Sequence, residues 1–379
     1  MTLQDLTGDG EKAFRQAFAE KTRWSGPAAI DGDAAAGLFS FLTIDRLLAS
    51  GTLAVDQLRV LVSGTEAMPS LYTDAGGLRL DAIQSFLRQG ATLSLNDIGR
   101  CVPAIGALAA AIERALGVRC GVNAYVTIGD KAAFRPHSDG HDVLVLQCYG
   151  AKRWYSHGEP QPYPLVGAQV GQAPAPVWDQ IMVAGDLLYL PRGEVHSTLP
   201  ERAPSVHLTF GLTEPTGVDL LRWLVIRAAD DPVLRRDLGS TISSAERAPR
   251  IAAVKGALHA LIDDISVEAF FDDQRSSREL LPFVNAAQGC MLDPTMVLTS
   301  ALRRPVDLKT DVSGEAVVVL GGRPSRLSAL SRRLLATVTA ENRITLGALA
   351  AAVGAMPTDA EFAEALTTLL QMALIGVTD

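Results

Sequence analysis

Hydrophobic and polar residues follow two different periods along this chain. Residues 122–128 alternate strictly, with Asn123, Tyr125 and Thr127 on one face and small or aliphatic side chains on the other. Residues 205–210 repeat the same alternation. Because successive side chains of a β-strand point to opposite faces, period two predicts strands at both places. This part of the chain is therefore expected to be rich in β-structure.

A break with the sequence Glu-Pro-Thr-Gly at residues 214–217 ends the strand-rich region. Beyond it, apolar residues recur at helical spacing, at Leu220, Leu221, Leu224 and Val225 and then at Ile251, Val254, Leu258 and Leu261. Such stripes normally pack inside their own chain, and a dimer interface is the alternative. We therefore predict a helical region at residues 216–300.

The last part of the chain predicts one strand followed by three helices, an order that suits a winged helix. The strand is placed at 315–320 and the helices at 325–337, 345–353 and 359–372, with Thr345 and Thr358 as helix caps. From position 313 onward, five Lys or Arg residues stand against six Asp or Glu residues. Because a winged helix that reads DNA is basic, we expect this region to contact protein and not DNA.

The candidate chemistry lies in His137-Ser138-Asp139 and in His196, about sixty residues downstream. In a strand, His137 and Asp139 would project from the same face while Ser138 points away. His196 follows a short apolar strand at 187–190 and a Pro-Arg-Gly turn, which would let a partner strand present it to the same place. Two imidazoles and one carboxylate form the ligand set of a non-haem Fe(II) oxygenase. The spacing therefore predicts a metal site.

Three further histidines lie near this set. His141 shares the strand parity of His137 but would sit about 13 Å further along an extended strand, too far to share one ion. His207 lies on another predicted strand and is the stronger rival ligand. The sequence assigns no role to His157.

Lys152 lies in a run that begins as an apolar strand at residue 142, breaks at Gly150 and resumes. An Fe(II) oxygenase that uses 2-oxoglutarate needs a cation several ångströms from the metal to hold the distal carboxylate of that cosubstrate. A lysine on a strand beside the metal ligands would supply it as a charge-assisted pair. A solvated turn formed by Lys152 and Arg153 is the alternative, and the residues alone leave both open.

The polar face of Asn123, Tyr125 and Thr127 also has two interpretations. In an ordinary sheet this face would meet water. In a small barrel it would line the interior and supply hydrogen bonds to a ligand.

Taken together, these elements resemble the JmjC-type, cupin-like ribosomal oxygenases over roughly residues 25–215. The motifs that carry the resemblance are Asn123-Ala-Tyr125-x-Thr127, His137-x-Asp139, Asp142, Gln147, Gly150-x-Lys152-x-Trp154, the Gly185-Asp element up to His196, and Ser205-x-His207-x-Thr209. Tyr155-Ser156-His157 departs from the apolar strand usual in that family. This departure concerns the shape of the pocket and leaves the three metal ligands unaffected.

The resemblance implies an α+β fold with a double-stranded β-helix core, the cupin or JmjC jelly roll. Fe(II) would be bound by His137, Asp139 and His196, and 2-oxoglutarate would pair with Lys152, with help from Asn123. Tyr125 and Thr127 would adjust the pose of the cosubstrate. The chain is accordingly divided into an N-terminal helical arm at 1–24, an oxygenase domain at 25–215, a helical dimerisation region at 216–300 and a winged-helix-like domain at 301–379.

Composition narrows the classes of protein that fit. A hydrophobic content of 48% over 379 residues supports a full globular core rather than disorder. A net charge of −8 without a long basic block disfavours binding to a phosphate backbone. Four cysteines without a C-x-x-C pair are typical of thiols in a reducing compartment. With no signal-like or membrane-length apolar run, we expect a cytoplasmic protein and no membrane partner.

The sequence thus predicts an Fe(II)- and 2-oxoglutarate-dependent dioxygenase. The resemblance further implies that it is a homodimer and that it hydroxylates a protein side chain, one of a ribosomal protein. The same chemistry on a peptide or a small natural product is one alternative. A non-catalytic, metal-binding cupin with an interaction module is another, which Lys152 disfavours because a bare metal site needs no cosubstrate cation.

Overall fold

A computed structural model describes the protein at residues 1–158, 163–165, 173–276, 293–302, 309–310, 316–320, 323–341 and 343–378. The chain divides into two compact units, Met1–Glu214 and Pro215–Asp379. The four-part division expected from the sequence stays a prediction.

The first unit contains six helices and eleven strands among the residues described. The helices are α1 (Leu3–Thr7), α2 (Glu11–Glu20), α3 (Gly32–Leu38), α4 (Phe41–Ala49), α5 (Leu80–Arg88) and α6 (Pro103–Leu116). The strands are β1 (Trp24–Gly26), β2 (Leu58–Val62), β3 (Thr65–Glu66), β4 (Thr73–Asp74), β5 (Gly77–Leu78), β6 (Thr92–Leu95), β7 (Arg119–Thr127), β8 (Asp142–Ser156), β9 (Trp178–Val183), β10 (Leu187–Leu190) and β11 (His196–Thr213).

One antiparallel sheet organises this unit, in the strand order β1-β10-β8-β11-β7-β6-β2-β3. Strand β8 has three neighbours. It pairs with β10 along its first part, with β9 along its second part, and with β11 along nearly its whole length. The strand predicted at 122–128 corresponds to β7, which ends at Thr127, and those predicted at 187–190 and 205–210 lie within β10 and β11.

Gly150 marks an irregularity in the β8–β11 pair. The register shifts three times between Pro200 and His207 on the partner strand, around this glycine. Gly150 has φ +69°, and a Cβ added there would lie 2.2 Å from the carbonyl oxygen of Pro204. A side chain is excluded both by the backbone conformation and by this close approach. The run therefore continues as one strand through a bulge instead of breaking at Gly150.

The main core lies between this sheet and helices that cover one of its faces. Phe14 from α2 is fully buried and packs edge-to-face on Tyr189 of β10, with ring centroids 5.6 Å apart. Helix α6 begins at Pro103. Proline has no N–H, and the first turn of a helix would offer that N–H no acceptor. Gly117, in the left-handed conformation, caps the other end of the helix. Ile105 and Ala109 of α6 are buried in the same core.

The second unit contains helices, two small three-stranded sheets and a core of its own. Its elements are α7 (Gly217–Ala228), α8 (Ser244–Asp263), α9 (Val267–Ser276), β12 (Val297–Ser300), β13 (Lys309–Thr310), β14 (Ala316–Leu320), β15 (Arg323–Leu327), α10 (Ala329–Glu341), β16 (Arg343–Thr345), α11 (Leu346–Ala352), α12 (Ala360–Gln371) and β17 (Ile375–Thr378). The sheets have the orders β16-β12-β17 and β13-β14-β15.

The predicted C-terminal elements are found with two corrections. Thr345 caps α11 as predicted, because its hydroxyl accepts a hydrogen bond from the N–H of Ala348. Thr358 does not cap α12; the N-cap is Asp359, whose carboxylate accepts from the N–H of Met356. The helix predicted from residue 325 begins only at Ala329, because β15 occupies the preceding residues. Glu315, the first residue of the predicted strand, lies outside the described residues.

In the predicted helical region, some apolar residues are buried inside the unit and others are exposed on its surface. Leu224 is buried in a small cluster with Trp223 and Phe270, whereas Leu221 and Val225 of the same predicted stripe are 59% and 71% exposed. Residues 277–292, with Cys290, lie outside the described part of the chain. Within that part, no helix has both the length and the apolar character needed to cross a membrane.

Candidate active site

His137, Asp139 and His196 come together in the first unit. One ligand atom from each lies within 4.8 Å of the other two. Nε2 of His196 is 3.6 Å from the carboxylate of Asp139, and the two imidazole rings are 4.5 Å apart. His196 is buried, and the other two side chains are partly exposed. The structure thus brings together the three residues that the sequence singled out.

Backbone pairing places these side chains. His137 and His196 exchange both backbone hydrogen bonds, at 3.0 and 2.8 Å, as a single β-bridge. The carbonyl of Asp139 accepts a hydrogen bond from the N–H of Gly193, one turn before His196. The prediction of a regular strand at His137–Asp139 is wrong, because only this one bridge forms. The two residues still face the same place, since a ligand atom of each lies within 4.8 Å of the other.

Both imidazoles are oriented by carbonyls of their own segments. Nδ1 of His137 lies 2.9 Å from the carbonyl oxygen of Arg135, and Nδ1 of His196 lies 3.0 Å from that of Glu194. A carbonyl can only accept, so each Nδ1 carries the proton and each Nε2 keeps its lone pair. This tautomer is the one that metal ligation through Nε2 requires.

The surroundings of His196 keep it neutral and fixed. Burial, together with the neighbouring imidazole of His137, lowers the pKa of His196 below its usual value. The indole of Trp154 stacks on the ring, with centroids 5.9 Å apart. Glu194, whose carbonyl orients the ring, forms an ion pair with Arg23 at 2.5 Å. A neutral, immobile imidazole is what a metal ligand needs to be, so the donor set fits a divalent metal ion.

The three side chains line one end of a cavity of about 920 Å³ in the first unit. The rest of the wall contributes aromatic rings, cations and hydroxyls, among them Arg59, Tyr125, Phe134, Arg135, His141, Lys152, Trp154, Thr198, His207 and Thr209. The cavity therefore joins the candidate metal centre to the predicted cosubstrate residue.

Lys152 points into this cavity and is only 3% exposed. Burial alone lowers the pKa of its ammonium group from 10.5 to about 7. Arg153 lies on the opposite face of β8, where it forms ion pairs with Asp179 and Glu201. The solvated turn considered for these two residues is therefore wrong. Instead, one basic residue faces inward without a carboxylate partner among the described residues, and the other faces out.

The predicted polar face of β7 is only partly in the cavity. Tyr125 lines it, and burial raises the pKa of its hydroxyl, which therefore stays protonated. Asn123 accepts a hydrogen bond from the N–H of Asp97, and buried Thr127 accepts one from the hydroxyl of Thr92. Neither residue is among those that line the cavity. Their roles toward a cosubstrate stay predictions.

The other histidines occupy distinct places. His141 lies against Gly211, where a Cβ would come within 2.6 Å of its ring, and is not one of the three clustered ligands. His157 contacts the hydroxyl of Ser197 at 2.7 Å and the carbonyl of Pro174 at 2.8 Å. His207 is buried and contacts Lys152 at 3.1 Å.

The Gly185-Asp186 part of the motif is structural. Gly185 has φ +95°, and a Cβ there would lie 2.3 Å from the carbonyl of Ile30. The carboxylate of Asp186 accepts hydrogen bonds from the N–H groups of Ala28 and Val183. These two residues close the turn between β9 and β10, which in turn leads to His196.

Arg59 and Phe134 are cavity residues that the sequence did not indicate. Arg59 lies on β2, pairs with Glu66 at 2.6 Å and sits over the ring of Phe134 at 5.6 Å. Phe134 in turn contacts Tyr125 and His137. No motif marks either residue. The only signal in the sequence is that Arg59 interrupts an otherwise apolar strand, and such an interruption does not by itself point to a ligand.

Comparisons with known proteins agree with this geometry. A family model described as "JmjC domain" matches residues 102–220. The bifunctional lysine-specific demethylase and histidyl-hydroxylase NO66 of Drosophila grimshawi is 26% identical over 182 residues, covering 46% of this chain and 25% of the relative. Ribosomal oxygenase 1 of Gallus gallus is 26% identical over 270 residues, covering 64% of this chain and 44% of the relative. The chain thus spans a quarter to less than half of these relatives.

Solved structures extend the likeness of fold to nearly the whole chain. An X-ray structure of Escherichia coli YcfD superposes with a TM-score of 0.57 at 15% identity, covering 96% of this chain and 98% of that one. A structure of the same ribosomal oxygenase with cobalt and 2-oxoglutarate gives a TM-score of 0.56 at 14% identity. The JmjC or cupin core expected from the sequence is confirmed. Residues 102–220 match the JmjC domain, and the chain is similar in sequence to ribosomal oxygenase 1 over 270 residues.

Proposed function

We propose that this protein is an Fe(II)- and 2-oxoglutarate-dependent dioxygenase that hydroxylates a side chain of a protein, in the first place a ribosomal protein. The observation that carries the proposal is one cavity that holds both the clustered His137, Asp139 and His196 and the buried, carboxylate-free Lys152. The names of the sequence relatives, a histidyl-hydroxylase and a ribosomal oxygenase, support the choice of substrate class.

The metal would be held by Nε2 of both histidines and the carboxylate of Asp139. Fe(II) bound there would supply the activation of O2 that couples conversion of 2-oxoglutarate to succinate and CO2 with hydroxylation of a C–H bond. The protein's own contribution is to hold the donor atoms in place. The carbonyls of Arg135 and Glu194 fix the two rings, and Trp154 packs on one of them.

Lys152 would bind the distal carboxylate of 2-oxoglutarate. A buried ammonium without a carboxylate partner is costly, and an incoming anion relieves that cost. Because the pKa of Lys152 is about 7 in the free protein, the group is partly neutral at physiological pH. A bound carboxylate would favour the charged form. A buried lysine that awaits a carboxylate separates the proposed enzyme from a simple metal-binding cupin, which needs no such cation.

The central experiment is turnover followed by substrate identification. We expect the purified protein with Fe(II) to convert 2-oxoglutarate to succinate. A mass increase of 16 Da should then be found on a ribosomal protein from wild-type cells and be missing from deletion cells. Complementation with a His196→Ala variant is the control and should not restore the modification. Unmodified ribosomal proteins in both strains, with turnover intact, would favour a peptide or small-molecule substrate.

The metal assignment makes a separate prediction. His137→Ala, Asp139→Ala and His196→Ala should each weaken Fe(II) or Co(II) binding by about a hundredfold or more and abolish turnover, because a three-ligand site has no spare donor. Metal affinity is measured by isothermal titration calorimetry, with circular dichroism to show that the fold survives. His141→Ala, in the same cavity wall, is the matched control and should bind metal normally. Normal binding by all three triad variants would contradict the assignment.

The cosubstrate assignment predicts a binding defect. Lys152→Ala should raise the KM for 2-oxoglutarate by about ten- to a hundredfold, since a buried charge-assisted pair is worth roughly 1.5–3 kcal/mol. Fe(II) affinity should hardly change. Arg153→Ala is the matched control, because it removes the neighbouring charge on the outer face. Equal KM values for the two variants would remove Lys152 from the site.

The same assignment has a pH signature. Below pH 7 Lys152 is charged in the free protein and its protonation does not limit binding; above pH 7 it loses its proton, so the KM for 2-oxoglutarate should rise. Lys152→Arg should retain part of the activity and lose this rise, because a guanidinium stays charged.

We further propose that the protein is a homodimer in the cytoplasm, where a ribosomal substrate would be met. The exposed apolar side chains of α7 support the dimer: Val218, Leu221, Val225 and Ile226 are 55–72% exposed and recur at helical spacing along one side of the helix. A contiguous apolar surface of this kind is unusual on a monomer.

Light scattering after size exclusion should therefore give a dimer of about 80 kDa, twice the 40.2 kDa of the chain. Val225→Asp should shift it toward monomer, because a carboxylate would be buried in the interface. Ala54→Asp, which adds the same charge at an exposed position of the first unit, should leave the dimer intact. A wild-type monomer at micromolar concentration would refute the proposal.

A further inference from the structure

His207 makes a direct contact with Lys152 inside the cavity. Its Nδ1 lies 3.1 Å from the Nζ of Lys152, and the two side chains are 4% and 3% exposed. The charged form of Lys152, which the cosubstrate carboxylate would favour, has three N–H donors and no lone pair, so in that form the lysine donates and the imidazole nitrogen accepts. His207 therefore carries its own proton on Nε2.

The ring of His207 is held by aromatic neighbours on two strands. Tyr125, its direct cross-strand partner on β7, stacks on it with centroids 4.8 Å apart and planes 14° apart. Trp154 of β8 meets it edge-on at 5.5 Å. Because the ring is fixed between these two, the direction of its Nδ1 lone pair is fixed as well. The acceptor thus lies at one defined point on the cavity wall.

The charge state of His207 suits an acceptor. Burial and the adjacent charge of Lys152 keep the pKa of His207 well below its usual value. The imidazole is therefore neutral at physiological pH, and its lone pair is available. Among the described residues, no other polar side chain forms a hydrogen bond or an ion pair with the Lys152 ammonium. His207 is not one of the three residues whose ligand atoms cluster, although the sequence made it the strongest alternative metal ligand.

We infer that His207 is a positioning residue for the cosubstrate: it holds the ammonium of Lys152 in place, so that the distal carboxylate of 2-oxoglutarate meets an oriented cation. The inference rests on the proposed function and adds to it a residue that acts through Lys152 without binding the metal. Its consequence is that His207 governs the affinity for 2-oxoglutarate and leaves metal affinity untouched.

Two substitutions separate the acceptor from the packing of the ring. His207→Phe keeps an aromatic ring between Tyr125 and Trp154 but removes the lone pair. His207→Asn restores an acceptor oxygen near the place of Nδ1. We expect His207→Phe to weaken 2-oxoglutarate binding to the cobalt-loaded protein by about tenfold, the loss of one hydrogen bond to a charged group. His207→Asn should recover most of that loss. His259→Phe, on the exposed surface of α8, is the control and should bind normally.

A double-mutant cycle decides whether His207 acts through Lys152. Calorimetric titration of 2-oxoglutarate should find His207→Phe with Lys152→Ala no weaker than Lys152→Ala alone, because the two residues belong to one interaction. Additive losses would overturn the inference, as would a loss of cobalt affinity in His207→Phe. If the wild-type protein binds 2-oxoglutarate and His207→Phe binds it equally well, only this inference fails. If the wild-type protein does not bind 2-oxoglutarate, the proposed function fails first.

Discussion

The pairing of β8 with β11 is the constraint on which the site depends. Before Gly150, Val143 faces the cavity; after it, the even-numbered Lys152 and Trp154 do so. The irregular stretch around Gly150 makes this change of parity: β8 has one extra residue, Cys148, in the register with β11, and an extra residue turns the side chains beyond it to the opposite face. Without it, Lys152 would share the parity of Leu144 and Leu146, which lie in the main hydrophobic core.

Strand β11 undergoes the matching change. Its even-numbered residues His196 and Thr198 face the cavity at one end, and the odd-numbered His207 and Thr209 face it at the other. The register shifts between Pro200 and His207 separate the two sets. A single irregular stretch thus lets one strand present a candidate metal ligand and, eleven residues later, a partner of the cosubstrate lysine. The glycine at position 150 is needed because the partner backbone approaches too closely for a side chain.

The sequence predicted the strands and the candidate ligands of this site better than it predicted which side chains face the cavity. Alternation located β7 and β11, and the spacing of His137, Asp139 and His196 indicated one metal site, because metal ligation requires specific residue types. The face of Lys152 was left open, since the parity of a strand beyond a glycine depends on whether the chain turns or bulges there. Asn123 shares the parity of Tyr125, yet a backbone N–H from another segment occupies it. The alternation of polar and apolar residues does not reveal a hydrogen bond from a distant segment of the chain.

In the proposed oxygenase, the choice of substrate would depend on the partly exposed wall of the cavity. Each candidate ligand and cosubstrate residue is fixed by contacts of its own: carbonyls orient the two ligating rings, and aromatic rings hold His207. Arg59, Phe134 and Arg135, by contrast, are partly exposed residues of the cavity wall, with Arg59 paired to Glu66 and stacked over Phe134. These residues carry no motif, because a wall that selects substrates is defined by its shape and charge. The proposed chemistry is therefore readable in the sequence, whereas the choice of substrate would be set by this wall.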